Sequence, residues 1–135
     1  MKQLVVFMFA FLILTCQSKG QENQDEHLLD GTSMNYYYQN GRAVHIEFID
    51  GQAKWKWLAG PWKGAIGLEI YRSRKIGDKM YVVNWLEKGS STFVTLIFNF
   101  NQNVMYSSAV IAPRTEREEI FFDGGIIENL ILKEN

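Results

Sequence analysis

Residues 34–51 read Met-Asn-Tyr-Tyr-Tyr-Gln-Asn-Gly-Arg-Ala-Val-His-Ile-Glu-Phe-Ile-Asp-Gly, two short apolar runs that each end in a turn signal. In the second run every other residue from Val44 to Phe48 is apolar, which is the two-residue period of a half-buried strand. Asn40-Gly41 and Asp50-Gly51 tolerate the positive φ angles that both central residues of a type I′ turn require. The stretch therefore predicts two consecutive β-hairpins.

The same pattern of short runs and turn residues continues to the end of the chain, and no domain segment shows a convincing helical period. Every connection is hairpin-like, and several strands carry bulky residues on both faces. These features favour an all-β fold, an antiparallel up-and-down barrel of eight or nine strands, over a sandwich. A last pair of strands is expected to flank Gly124-Gly125. The predicted strands cover residues 34–39, 43–49, 53–58, 68–75, 79–87, 92–100, 104–112, 118–122 and 126–132.

The N-terminus predicts a targeting segment and an anchor. Lys2 precedes an uninterrupted apolar stretch, residues 4–14, which is shorter than the roughly 20 residues of a membrane-spanning helix. We interpret residues 1–15 as a signal peptide. The stretch ends in a sequence similar to a bacterial lipobox, so Cys16, the only cysteine, is the expected site of lipidation. Residues 16–30 would form the anchor and a flexible tether, residues 31–135 the domain, and the protein would be lipid-anchored in the bacterial cell envelope, on the periplasmic side or at the cell surface.

Composition excludes several classes of function. The formal net charge is −1, and no cluster of Lys and Arg suits a nucleic-acid partner. His27 and His45 are isolated and expected to be solvated, so we predict no metal site. The chain has no phosphate-binding loop and no nucleophile elbow, and we expect no cofactor.

The best candidate for chemistry is Glu87, which ends the run Tyr81-Val82-Val83-Asn84-Trp85-Leu86-Glu87. Residues two apart on a strand share a face, so Tyr81, Trp85 and Glu87 should point the same way. Burial of this carboxylate would raise its pKa.

Other strands present similar pairs: Tyr36 with Tyr38, and Glu69 with Tyr71. Facing inward, these side chains would bring two carboxylates together beside tyrosine hydroxyls, an arrangement that suits binding of a small planar molecule or a proton transfer to it. In the alternative, the tyrosines are half-buried strand residues and the glutamates lie at the barrel mouths. Trp55 and Trp57 are expected to be core residues.

Several motifs carry a family resemblance. Tyr36-Tyr37-Tyr38-Gln39-Asn40-Gly41, Gly60-x3-Gly64, Glu69-x-Tyr71 and Tyr81-x3-Trp85-x-Glu87, followed by a strand with Val94 and Leu96, resemble the MoaF-like family across residues 31–111. The resemblance implies a lipocalin-like (calycin) barrel.

Much of this pattern is also similar to phenolic acid decarboxylases, which use no cofactor. In those enzymes two first-strand tyrosines orient the substrate carboxylate, an arginine after the glycine loop assists, and a glutamate in a Trp-x-Glu motif handles the proton. Tyr36, Tyr38 and Glu87 match the tyrosines and the glutamate. The arginine position is Ala65, which argues against decarboxylase activity.

Three functions remain open on the sequence. The first is a lipid-anchored barrel that binds a small apolar or aromatic molecule through Tyr36, Tyr38, Glu69, Tyr71, Tyr81 and Trp85. The second is a lyase that uses Glu87 as general acid and base. The third is a structural lipoprotein whose barrel is filled by its own side chains.

Overall fold

Eight strands close into an antiparallel barrel in the computed structural model, which describes residues 26–133. Each strand pairs with the next along the chain, and β8 pairs with β1 to complete the ring. The predicted up-and-down barrel is thus confirmed, with eight strands. They are β1 (Ser33–Tyr38), β2 (Ala43–Ile49), β3 (Gln52–Ala59), β4 (Ile66–Gly77), β5 (Met80–Glu87), β6 (Thr92–Asn99), β7 (Val104–Ile111) and β8 (Glu119–Ile131).

The predicted signal peptide and the lipidation site at Cys16 lie outside the described residues. Within residues 26–133 there is no helix of the length and apolar character needed to cross a membrane.

The two hairpins of the opening stretch form, but with different turns. Asp50 and Gly51 both have positive φ angles, 50° and 74°, as a type I′ turn between β2 and β3 requires. Between β1 and β2 only Gly41 is left-handed, and the Tyr38 N–H bonds the Arg42 carbonyl at 2.9 Å. The prediction of a type I′ turn at Asn40-Gly41 is therefore wrong. The loop between the bonded residues Tyr38 and Arg42 has three residues, 39–41, and only the third, Gly41, has a positive φ angle.

The expected final hairpin is also wrong, because residues 118–132 contain one long strand and not two. Asp123, Gly124 and Gly125 stay in register with β7, opposite Ser107, Tyr106 and Met105. A Cβ at Gly125 would lie 2.3 Å from the Tyr37 carbonyl oxygen of β1. The glycine pair thus permits close approach of neighbouring strands. In the sequence alone, such a pair is also typical of a turn, which is why a hairpin was predicted here.

The N-terminal segment closes one end of the barrel. Leu29 is buried at 2% exposure, and its N–H bonds the Tyr71 hydroxyl at 3.1 Å. The same hydroxyl donates to Asp30 Oδ1 at 2.8 Å, and Asp30 also accepts from the Gly51 N–H. His27 is half-buried with its ring 5.1 Å from that of Tyr71, so the prediction that it is solvated is wrong. Residues 26–30, placed in the tether by sequence, pack against the barrel.

Large apolar side chains also cover parts of the outer face. Ile66, Ile70, Ile120 and Phe122 are 66–81% exposed. Their positions explain why several strands appear apolar on both faces in the sequence, whereas only alternate residues reach the interior.

Candidate functional site

The end of the barrel opposite the N-terminal segment contains a cavity of about 290 Å³. This end carries the loops β1–β2, β3–β4, β5–β6 and β7–β8, because successive antiparallel strands alternate in direction. Six aromatic side chains dominate the lining: Tyr36, Tyr38, Trp55, Trp57, Trp62 and Phe121. The polar lining residues are Glu87, Ser90, Thr92 and Ser107.

The aromatic rings contact one another from the interior to the mouth. Tyr36 and Tyr38 are inward neighbours on β1 and meet edge to face at 5.4 Å. Tyr38 stacks on Trp57 at 6.3 Å, and Trp57 meets Trp62 of the β3–β4 loop at 4.9 Å. Phe121 contacts Tyr38 at 5.3 Å from β8. These ring contacts link the wall of the cavity from Tyr36 on β1 to Trp62 in the β3–β4 loop.

Glu87 is held at the cavity by the β5–β6 turn. Its Oε2 accepts from Ser90 Oγ at 3.0 Å, and its Oε1 is 3.4 Å from Trp85 Nε1. Burial raises the pKa of the Glu87 carboxyl above 4.5, these two hydrogen bonds counteract the rise, and the charge of Glu69 adds to it. The carboxyl therefore keeps its proton to higher pH than an exposed glutamate, and in that state it both donates and accepts hydrogen bonds.

The two β1 tyrosines are neutral donors and acceptors in this interior. Burial raises the pKa of Tyr36 well above 10.0, and the neighbouring Tyr38 and Glu87 raise it further. Burial also raises the pKa of Tyr38 to about 12, although hydrogen bonds with Ser107 and Tyr36 lower it. At neutral pH the cavity therefore offers hydroxyl groups and no tyrosinate.

A comparison with protein families identifies the fold family. The MoaF-like family model matches residues 30–118, about two thirds of the chain. The chain belongs to the MoaF-like family.

One similar solved structure is a protein from Burkholderia vietnamiensis named as a putative beta-lactamase. It superposes with a TM-score of 0.66 at 17% sequence identity, over 73% of this chain and 92% of the other. At this identity the likeness shows the shared barrel alone. Among curated proteins no match was found.

The sequence-predicted site residues of this MoaF-like barrel fall into three places. Tyr36, Tyr38 and Glu87 line the cavity. Trp85 lies beside Glu87, and Glu69, half-buried on β4, acts on Glu87 through its charge.

Two further candidates lie away from the cavity lining. The Tyr71 hydroxyl lies at the opposite end of the barrel, where it forms hydrogen bonds with the N-terminal segment. The ring of Tyr81 packs on that of Phe100, with 5.8 Å between the ring centroids. All the candidates share the inward face of their strands, but the length of the barrel separates them.

Sequence reasoning gave no cavity role to Trp57 or Trp62, and it did not place Arg42 against Trp62, whose ring centroid lies 4.6 Å from the guanidinium carbon. Trp57 shares the inward face with Ala53, which indicated burial but not contact with a cavity. Trp62 and Arg42 lie in loops, where there is no strand alternation from which the direction of a side chain can be predicted. Ala65, at the position where the decarboxylase pattern has arginine, does line the cavity.

Proposed function

We propose that this MoaF-like barrel binds one small apolar or aromatic molecule in the cavity between Tyr36 and the β3–β4 loop. The observation that carries the proposal is the aromatic lining, interrupted by a few hydroxyls and one carboxyl of raised pKa. Apolar walls with few convergent polar groups are the usual composition of small-molecule sites.

The size of the cavity limits the ligand. Small-molecule pockets span about 300–1,000 Å³, and an apolar cavity of about 150 Å³ holds benzene. At about 290 Å³ the cavity suits a compact molecule of one or two rings. This volume favours binding over the alternative of a barrel filled by its own side chains.

Anchoring through Cys16 is part of the proposal and rests on the lipobox-like sequence. The nine residues 17–25 separate Cys16 from the described barrel and reach about 30 Å when extended. Such a tether holds the barrel close to the bacterial envelope membrane. In the bacterial host, Cys16→Ser should move the protein from the membrane fraction to the soluble fraction. Unchanged sedimentation with membranes would contradict the anchor.

The binding test uses a chain that begins at Gln17 and so retains every described residue. Native mass spectrometry should detect a retained small molecule, or uptake of one from a library of one- and two-ring compounds. Ala109→Phe places a ring in the cavity lining and should abolish uptake. Ser108→Phe, on the exposed side of the same strand, should not. Absence of any uptake by the parent chain, or equal uptake by both variants, would refute binding in the cavity.

A second candidate function is catalysis with Glu87 as general acid and base, supported by its raised pKa beside the Tyr36 hydroxyl. Under this hypothesis Glu87→Gln abolishes turnover of hydroxycinnamate-like acids and leaves the fold intact. Turnover that is equal in the two proteins would remove Glu87 as the acid. The neutral Ala65 makes this candidate second to binding.

A further inference from the structure

The wall of the cavity carries charge of one sign. Among the described residues that line it, Glu87 is the only one with a formal charge. Both groups that donate to its carboxyl are neutral, the Ser90 hydroxyl and the Trp85 indole N–H, and the residue opposite it on β6 is Thr92. Glu87 is half-buried, and a carboxylate removed from water among neutral neighbours is poorly stabilised. A cation that entered the cavity would supply the missing counter-charge.

A second carboxylate lies on the neighbouring strand. Tyr71 of β4 is paired with Trp85 of β5, and Glu69 and Glu87 each lie two residues closer to the cavity mouth on the same strands. By strand alternation the two carboxylates lie on one face of the sheet. Burial, and to a smaller extent the charge of Glu69, raises the pKa of Glu87. A bound cation would oppose both effects, because it favours the ionised carboxyl.

Aromatic rings form much of the remaining wall, and their faces also suit a cation. Three of the lining rings are the indoles of Trp55, Trp57 and Trp62. The face of an aromatic ring carries partial negative charge and attracts a cation, most strongly at tryptophan and where water is excluded. One protein cation already uses this property. The guanidinium carbon of Arg42 is 4.6 Å from the ring centroid of Trp62 and 5.1 Å from that of Phe121.

Arg42 does not make the cavity cationic. It contacts two of the lining rings but is not itself among the described lining residues. Burial is the strongest influence on the pKa of Tyr38, which does line the cavity, and the charge of Arg42 is the weakest. The charge that a ligand meets inside is therefore that of Glu87.

We propose that the cavity is selective for a compact organic cation, an ammonium group on a small apolar or aromatic body, with Glu87 as the residue that determines this specificity. The ammonium group pairs with the carboxylate, and the apolar body lies against the aromatic rings. This inference rests on the proposed function and adds the charge of the ligand. A single ring with one ammonium group fits a cavity of about 290 Å³, and an anion of the same size is repelled by Glu87.

The test varies the charge of one ligand shape on the chain that begins at Gln17. Phenyltrimethylammonium and tert-butylbenzene have the same shape, and the first carries a permanent positive charge. Binding is measured at pH 7 by the change in tryptophan fluorescence, since three indoles line the cavity. We expect the cation to bind about tenfold more tightly than its neutral isostere. Benzoate, a one-ring anion, should bind more weakly than either.

Two variants assign this preference to Glu87. Glu87→Gln removes the charge and keeps the shape of the side chain, so the preference should shrink to about twofold, the part that the ring faces supply. The matched control is Glu128→Gln, which changes the net charge equally at an exposed position of β8, opposite Asn35 of β1. The control should retain the tenfold preference.

A pH titration of the parent chain decides the question if Glu87→Gln does not fold. Burial raises the pKa of Glu87 above 4.5, so most of this carboxyl is protonated at pH 4.5, whereas the quaternary ammonium has no proton to exchange. The preference for the cation should therefore shrink between pH 7 and pH 4.5. Of the other groups that act on Glu87 or lie beside it, Glu69 loses charge in the same direction and Tyr36 stays neutral.

The outcomes separate the two proposals. Equal affinity for the cation and its neutral isostere, tighter binding of benzoate, or a tenfold preference that survives in Glu87→Gln would overturn the selectivity and leave binding in the cavity intact. A preference that is the same at pH 7 and pH 4.5 would overturn it as well. If none of the three probes binds, the selectivity is overturned, and uptake of neutral compounds from the library then decides the proposed function separately.

Discussion

Replacing Gly67 by alanine should disturb both the stability of the barrel and the shape of its cavity. Gly67 on β4 is paired with Trp55 on β3. A Cβ at Gly67 would lie 2.0 Å from Trp55 Cζ2 and 2.2 Å from Cε2. Carbon atoms in contact are about 3.5–4.0 Å apart, so the indole and the new methyl group must separate by about 1.5 Å.

The magnitude follows from two opposing terms. Overpacking of this kind costs about 1–3 kcal/mol, while Gly→Ala recovers about 0.4–1 kcal/mol by restricting the unfolded chain. Because Trp55 borders the cavity, its ring has room to move, which keeps the cost below the upper limit. We expect a loss of about 1–2 kcal/mol, or about 5–15 °C in Tm for a domain of this size. The displaced ring should also reduce the volume available to a ligand.

Thermal unfolding and calorimetric binding of an aromatic probe measure both effects. The matched control is Gly89→Ala in the β5–β6 turn, where an added Cβ meets nothing within 4 Å. The control should stay within about 0.5 kcal/mol of the parent chain or gain slightly. If Gly67→Ala has the Tm and probe affinity of Gly89→Ala, the close packing of Trp55 on β4 is refuted.

Three further substitutions probe other contacts. Gly125→Ala should destabilise the barrel by more than about 2 kcal/mol, because its Cβ would meet the backbone of Tyr37 at 2.3 Å and backbone cannot rotate away; chemical denaturation measures this loss. Tyr71→Phe should cost about 1–2 kcal/mol and speed hydrogen exchange at the Leu29 amide, which loses its acceptor. Burial raises the pKa of Glu87 in the folded protein above 4.5, its ordinary value in the unfolded chain. The protonated carboxyl therefore contributes its full share to the free energy of unfolding below pH 4.5, and this contribution is lost as pH rises through the raised pKa. Unfolding measured at several pH values should therefore show Glu87→Gln gaining stability relative to the parent chain as pH rises.

Matched controls accompany these changes. In Gly124→Ala the added Cβ meets the Tyr106 ring at 3.1 Å, and that side chain is 53% exposed and free to shift, so the cost should be smaller than at Gly125. Tyr106→Phe should leave stability and Leu29 exchange unchanged. Equal losses in the paired variants, or a pH-independent difference at Glu87, would contradict the packing and burial described for these residues.

Local patterns in the sequence were sufficient for the architecture. The two-residue alternation from Val44 to Phe48 and the Asp50-Gly51 turn are properties of neighbouring residues, so they predict the strand and its hairpin connection without reference to any long-range contact. The same alternation put Tyr36 with Tyr38 on one face of their strand and Trp85 with Glu87 on one face of theirs, but only the family resemblance favoured the interior for Glu87. Gly124-Gly125 was misread because a glycine pair permits either a turn or close strand approach, and only the position of Tyr37 decides between them.

The site itself was decided by tertiary structure. Parity along a strand gives the face of a side chain but not its height in the barrel, and height separates Glu87 at the cavity from Tyr71 at the closed end. The volume of the cavity depends on how rings from different strands and loops meet, as Trp57 and Trp62 do. The contact between Arg42 and Phe121 was likewise invisible in sequence, since it forms only when β8 returns to β1 and closes the barrel.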